Sequence, residues 1–296
     1  GIINPLKRRI IKKVLLIDTK FRKDYKTTDS TDFTIQLPMT INNAISMKLA
    51  ALEFPNTSYT FNSTHKTNEF TVDVSGSQYT IVIPDGNYTT TDIVNMLNKI
   101  YFNPSPISGR IQTFYDSNTG KLSFYVPAAH ANIPMSLDFR IQSNLTRSVV
   151  YNFGWLLGFR EPTYSNINNL KLPLQINNPF IDVSGYSGES IFDAVGTKYI
   201  YVVVNDFKMN QNDYFVTAFL NSISKGNVLA KVQIAHGKNT TGFEDSSDGT
   251  LKMREYFGPQ DINKLKIQIL DDYERVIDIN KSDYSLTLEF ECVYNM

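Results

Sequence analysis

Alternation of apolar and polar residues is the dominant pattern along this chain. In "SLTLEFECVY" (285–294) Leu286, Leu288, Phe290 and Cys292 share one parity, with Thr287, Glu289 and Glu291 on the other. That period of two predicts a strand with one face on a core. "KLKIQIL" (264–270) repeats it, as does "AISMKLAALEF" (44–54), where Ile45, Met47, Leu49 and Ala51 fall together and Pro55 ends the run. Phe33, Ile35 and Leu37 predict an earlier strand ended by Pro38. "KYIYVVVNDF" (198–207) and "NVLAKVQIAHG" (227–237) predict two more, the first apolar enough for burial on both faces. Residues 68–88 predict two strands around the hairpin signal Ser75-Gly76-Ser77.

The period changes in the middle of the chain. "TTTDIVNMLNKIYF" (89–102) opens on hydroxyl caps and sets Ile93, Met96, Leu97, Ile100 and Tyr101 on one helical face, ended by "NPSP". A hairpin is predicted across Asn118, Thr119 and Gly120, and a strand at "MSLDFRI" (135–141). "RSVVYNFGWLLGF" (147–159) suits a short helix capped by Gly158, although its aromatics would also suit a strand, and residues 160–190, rich in Asn, Pro, Ser and Gly, read as a long connection with short strands at most.

About eight long strands in two sets, split by a mixed stretch of roughly a hundred residues, suit a single jelly-roll β-barrel, whose topology joins sequence-distant strands. The expected fold is mainly β with a mixed α/β insertion domain. Its parts are a basic N-terminal arm (1–13), a jelly-roll body (14–83 plus 191–296) and the insertion (84–190). The last strand would be an inner stave of the barrel.

Composition agrees, since 19 Phe and 17 Tyr against one Trp, with ample Val, Ile and Thr, favour pleated surfaces. Net charge is zero, so no global field holds nucleic acid, and no sequence-specific nucleic-acid contact is expected. The local exception is "PLKRRIIKK", where Lys7, Arg8, Arg9, Lys12 and Lys13 form either an arm suited to nucleic acid, an anionic leaflet or an acidic neighbour, or a solvated basic tail. Cys292 stands alone, which excludes an intrachain disulfide and a cysteine metal site, and its strand parity predicts a buried thiol. Glycosylation sequons occur at Asn56, Asn62, Asn87, Asn144, Asn239 and Asn280.

Signals for chemistry are poor. His65, His130 and His236 are scattered, no G-x-S-x-G elbow or phosphate-cradling loop is present, and the carboxylates of 271–278 and 243–250 lack calcium-loop spacing. No catalytic residue, cofactor or metal is therefore expected, and the chain is read as a non-enzyme. A carbohydrate- or receptor-binding module would need an exposed aromatic platform, for which Tyr164, Tyr186 and the loop of the 240s are the candidates.

Several stretches together resemble a known family. "DTKFRKDYKTTDSTDFTIQLP", "SMKLAALEFPNTSYTF", "IPDGNYTTTDIVNMLN" and "REYFGPQDINKLKIQILDDYERVIDINKSDYSLTLEFECVYN" look like minor capsid, penton-type structural proteins of nucleocytoplasmic large DNA viruses, the giant viruses and their relatives. The resemblance covers most of the chain and is most specific at the C-terminus. It implies a structural subunit of an icosahedral capsid with a jelly-roll body, forming the pentameric vertex. The alternatives are a protein cementing the major capsid lattice from inside, or the receptor-binding module. Implied partners are further copies of itself, the major capsid protein and other minor capsid proteins, with an inner membrane or acidic inner layer met by the arm. The implied location is the virion, assembled in the host cytoplasm.

Overall fold

The computed structural model describes residues 9–165, 168–173, 180–209, 217–219, 226–245 and 253–294, with Asn168 described by its backbone. Strand β1 (Arg9–Asp18) leads to β2 (Asp32–Pro55), then to the hairpin of β3 (Glu69–Val74) and β4 (Ser77–Val82). Helix α1 (Thr90–Met96) continues as a wider π-type turn at Leu97–Phe102, followed by β5 (Gln112–Asp116), β6 (Lys121–Val126) and β7 (Met135–Asp138). Helix α2 (Phe153–Leu157) precedes β8 (Thr163–Tyr164), β9 (Asn168–Pro173) and β10 (Phe180–Ser187). The chain closes with β11 (Tyr199–Asn205), β12 (Val228–Gln233), β13 (Thr241–Asp245), β14 (Met253–Leu270) and β15 (Ser285–Tyr294). The protein is mainly β, and the described strand pairs are antiparallel.

Two units divide the chain: Gly1–Ser58 with Thr197–Met296, and Tyr59–Gly196. In the first, a sheet runs in the order β1-β15-β2-β14-β11-β12, and β13 joins β2 beyond the end of β14. Its core is mostly aliphatic, with Met47, Leu49, Leu52, Ile200, Ile267 and Leu288 buried beside Phe290. The C-terminal strand lies between β1 and β2, and the even-numbered Leu286, Leu288, Phe290 and Cys292 are all buried, as their parity requires.

Strand β2 corrects two expectations. It passes through Pro38 without ending, because Pro38 falls between Gln36 and Ile41, where the register with β14 is irregular. On the other side β15 reaches β2 at residues 44–53, so the missing N–H of Pro38 costs no ladder bond. Farther on, the register with β15 shifts where Thr287 pairs with Ala51 and Leu288 with Leu49. This bulge reverses the parity, so Leu52 and Phe54 rather than Ala51 continue the buried row of Met47 and Leu49.

The second unit holds two four-stranded sheets, β5-β6-β10-β9 and β4-β3-β7-β8. The expected boundary at residues 83 and 84 is displaced: β3 pairs with β7, and Phe70, Val72, Val74 and Ile81 belong to this unit's core, so 59–83 and 191–196 leave the body. Residues 160–190 are also more than a connection, since β10 pairs with both β6 and β9. The unit is therefore largely strand, with two short helices, rather than an even α/β mixture. Its core is a cluster of phenylalanines in which Phe70 stacks on Phe153 at 5.2 Å. Local signals act as read: Thr89 and Asp92 form a capping box on α1, and Gly158 ends α2 at φ +98°. Ser75 and Gly76, both at positive φ, make the β3–β4 turn.

Candidate assembly surface

The five basic residues assigned to the arm do not form one patch. Lys7 and Arg8 lie outside the described residues, whereas Arg9, Lys12 and Lys13 belong to β1, which pairs with β15 along all ten of its residues. A free arm over 9–13 is thus corrected, for a physical reason: "RIIKKVLLID" carries β-branched and aliphatic residues on both parities, which suit a strand, as well as the charge of an arm. Period two then separates the cations. Lys12 points to the outer face and pairs with Glu289 at 2.8 Å, while Lys13 points to the opposite face, near Cys292. The Glu289 carboxylate holds the Lys12 ammonium above its ordinary range, and burial raises the Cys292 thiol.

On its other side β1 has no strand partner among the described residues, and it is an edge. Its inner parity, Leu15 and Ile17, packs on the core. Its outer parity carries Ile10, Val14 and Leu16, exposed by 53%, 59% and 77%. A long edge with such a row is a template for pairing with another chain. Outer-face rows continue across the sheet as Leu16–Thr287–Ala51–Asp245 and Asp18–Ser285–Glu53–Phe243. The far rim is apolar too, with Phe243, Met253 and Phe257 exposed around a polar centre of Ser46, Lys48, Thr287, Glu289 and Glu291.

Beneath this face lies a polar network that sequence reading missed. Asp206 Oδ2 accepts from Arg254 Nη1 at 2.8 Å and from the Tyr256 hydroxyl, and Arg254 Nη2 donates to the Asn227 carbonyl at 2.9 Å. Both charged side chains are buried. Arg254 thereby ties together the two ends of the excursion between β11 and β12. Arg254 and Tyr256 share the buried parity of β14, which is legible in sequence, but nothing in the intervening residues points to Asp206.

The other candidates stay apart. His65 sits in a turn closed by Asn62 and Arg147, and the His236 ring packs so closely on Gly242 that a Cβ there would lie 2.0 Å from Nδ1. Among the described residues no group of three His, Cys, Asp or Glu is placed to hold a metal ion. The platform residues are consumed internally: Tyr186 is buried and donates to the Met135 carbonyl, and the Tyr164 hydroxyl donates to Glu189. Residues 241–245 of the expected loop are β13, and 246–250 lie outside the described residues. A cavity of about 150 Å³ is lined by Arg22, Asp29, Thr31, Ile277 and Lys281. All five guanidinium donors of Arg22 are already taken, by Thr19, Tyr25, Thr28 and Asp283, so it has none to offer a ligand. Asn56 of the first sequon is buried and donates to the His236 carbonyl. Among the described residues no helix is long and apolar enough to cross a membrane.

No family model matches the chain, and no curated protein is significantly similar to it in sequence. Over nearly its whole length the chain is similar to two solved virophage structures. One is a chain of the Sputnik virophage solved by cryo-EM, with a TM-score of 0.44 at 15% identity, covering 97% of this chain and 98% of that one. The other is the mavirus penton protein, with a TM-score of 0.48 at 9% identity, covering 97% of this chain and 100% of that one.

Proposed function

We propose that the chain is a structural subunit of an icosahedral virus capsid, a minor capsid protein with a jelly-roll body that assembles as a homopentamer at the vertices. The observation that carries the reading is the edge strand β1, which turns Ile10, Val14 and Leu16 to solvent. Such an edge is a liability in an isolated chain and an asset in one that works assembled, where a neighbour covers it. Rings arise when a head-to-tail contact closes, which a subunit with different surfaces on its two sides can supply. The sequence resemblance supports the same class, and it is the class of the mavirus protein described above.

In this reading the partners are further copies of the chain, the major capsid protein and other minor capsid proteins, in a virion assembled in the host cytoplasm. Lys7, Arg8 and Arg9 face an acidic or membrane-bound inner layer. Native mass measurement of the purified chain tests the ring and should give five copies. Gold labelling of the chain in intact particles should mark fivefold positions. Label spread beneath the facets would replace the vertex with the cementing role, and a chain that is monomeric both in solution and in the particle would end the capsomer reading.

A further inference from the structure

The open edge of β1 has a counterpart on the same sheet. Locally the order is β1-β15-β2-β13, so the ribbon has β1 at one edge and β13 at the other, and β13 has no further strand partner among the described residues. Both β1 and β2 run antiparallel to β15, and β13 runs antiparallel to β2, so β1 and β13 point in opposite directions. A rotation about an axis parallel to the strands keeps their direction and therefore brings β1 of one copy to β13 of the next as an antiparallel pair, with the outer faces on the same side.

The side chains fit this pairing in one register. On β13 the outer parity is Thr241, Phe243 and Asp245, with Phe243 exposed by 65%, and Glu244 shares the opposite parity with Gly242. On β1 the outer parity is Lys12, Val14 and Leu16, with Lys13 opposite. Setting Lys12 against Asp245 of the next copy sets Lys13 against Glu244 and Val14 against Phe243. One alignment thus brings opposite charges together on each face, where carboxylates that already have a partner within their own chain still have lone pairs for a second donor, and joins two exposed apolar side chains. A slip of one residue sends every pair to mismatched faces, and a slip of two sets Lys12 against Phe243 or Val14 against Asp245. The exposed Lys12 ammonium has three donors and can keep Glu289 while meeting Asp245.

We propose that successive copies of this chain join by strand addition, the basic edge β1 of one copy pairing antiparallel with the acidic edge β13 of the next, in the register Lys12–Asp245, Lys13–Glu244 and Val14–Phe243. This rests on the ring reading and specifies its seam. Main-chain hydrogen bonds supply the attraction, and the alternate side chains select the partner strand. The matching charges oppose pairing of β1 with β1, which would bring the lysines of two copies together.

The test is charge exchange in the full chain, read by native mass under dilution. One variant carries Lys12→Glu and Lys13→Glu with Glu289→Lys, which keeps the intrachain pair in inverted sense. A second carries Glu244→Lys and Asp245→Lys. Each should raise the dissociation constant on the order of tenfold or more, and combining all five changes should return it toward wild type. Circular dichroism on each variant verifies folding. Independently, Val14→Cys with Phe243→Cys should form covalent multimers on mild oxidation. Within one copy these positions are three strand spacings apart across the sheet, roughly 14 Å, and four residues apart along it, beyond the reach of a disulfide, and Cys292 is buried. A wild-type ring that survives both charge variants unchanged, or loss without recovery in the combined variant, or no cross-link, overturns the seam and leaves the ring standing. A wild-type chain that never forms a ring overturns the ring reading and the seam with it.

Discussion

Phe290 is fully buried on the inner face of β15, paired in register with Lys13 of β1 and Met47 of β2. Phe290→Ala should cost roughly 3–5 kcal/mol, seen as a lower urea midpoint with little change in slope. Asp206 should be as sensitive for a different reason: Asp206→Ala strands the buried Arg254 charge and should cost about 3–5 kcal/mol, whereas exchanging the pair together for apolar residues of similar volume should cost far less. Asp272 offers a pH signature. Burial, with Asp271 beside it, raises its carboxyl from 3.8 to about 6. The folded chain therefore holds this proton over a range where the unfolded chain has lost it, so stability falls as pH rises from about 4 to 6 and then levels off. Asp272→Asn should thus stabilise the fold at pH 7.5 by roughly 1 kcal/mol once screening around this partly exposed side chain is counted, seen as a higher urea midpoint, and the gain should vanish near pH 4. Residue-level parity of the last strand was legible because a period of two needs no partner to be recognised. The Asp206–Arg254 pair was not, because its two halves meet through register, which a single sequence does not carry.

At the scale of elements, β1 decides how much of the N-terminus is expendable. Residues 1–8 precede it, whereas 9–13 pair with Phe290, Glu291, Cys292, Val293 and Tyr294. Removing 1–8 should leave the circular dichroism and melting midpoint close to wild type. Removing 1–13 uncovers the edge of β15 over Phe290 and Cys292, and should lower the midpoint and raise binding of an apolar dye. The same element shows why charge misled the reading: five cations in seven residues look like a tail, yet the intervening Ile10 and Ile11 and the following Val14 and Leu15 carry the strand. Gly158 is a clearer signal, legible as a helix cap, and Gly158→Ala should be costly. It sits at φ +98°, and its new Cβ would lie 2.3 Å from the Ser190 carbonyl oxygen. What sequence could not supply was the fate of Pro38 and the bulge at Ala51, since both depend on which side of β2 has a neighbour.

Over the whole molecule the chain divides into Gly1–Ser58 with Thr197–Met296 and Tyr59–Gly196. The helix of 89–102 announces a change of pattern, but β3 and β4 alternate like the strands before them, and only their partner β7 assigns them to the second unit. That unit is one continuous stretch, Tyr59–Gly196, with its own phenylalanine core, and its two ends meet where the Thr60 hydroxyl donates to the Ala194 carbonyl at 3.3 Å. A segment that leaves and returns at one place can be excised without stretching what remains, because a short linker spans the gap. The fragment 59–196 should therefore fold alone and melt cooperatively as a monomer, since β1 and β13 both lie outside it. The complementary chain, with 59–196 replaced by a short Gly-Ser linker, keeps both edges and should still form the ring of five. If this shortened chain folds but is monomeric while the full chain is pentameric, the ring is held by the second unit, and the search for its contacts moves to the edges of β4, β5, β8 and β9.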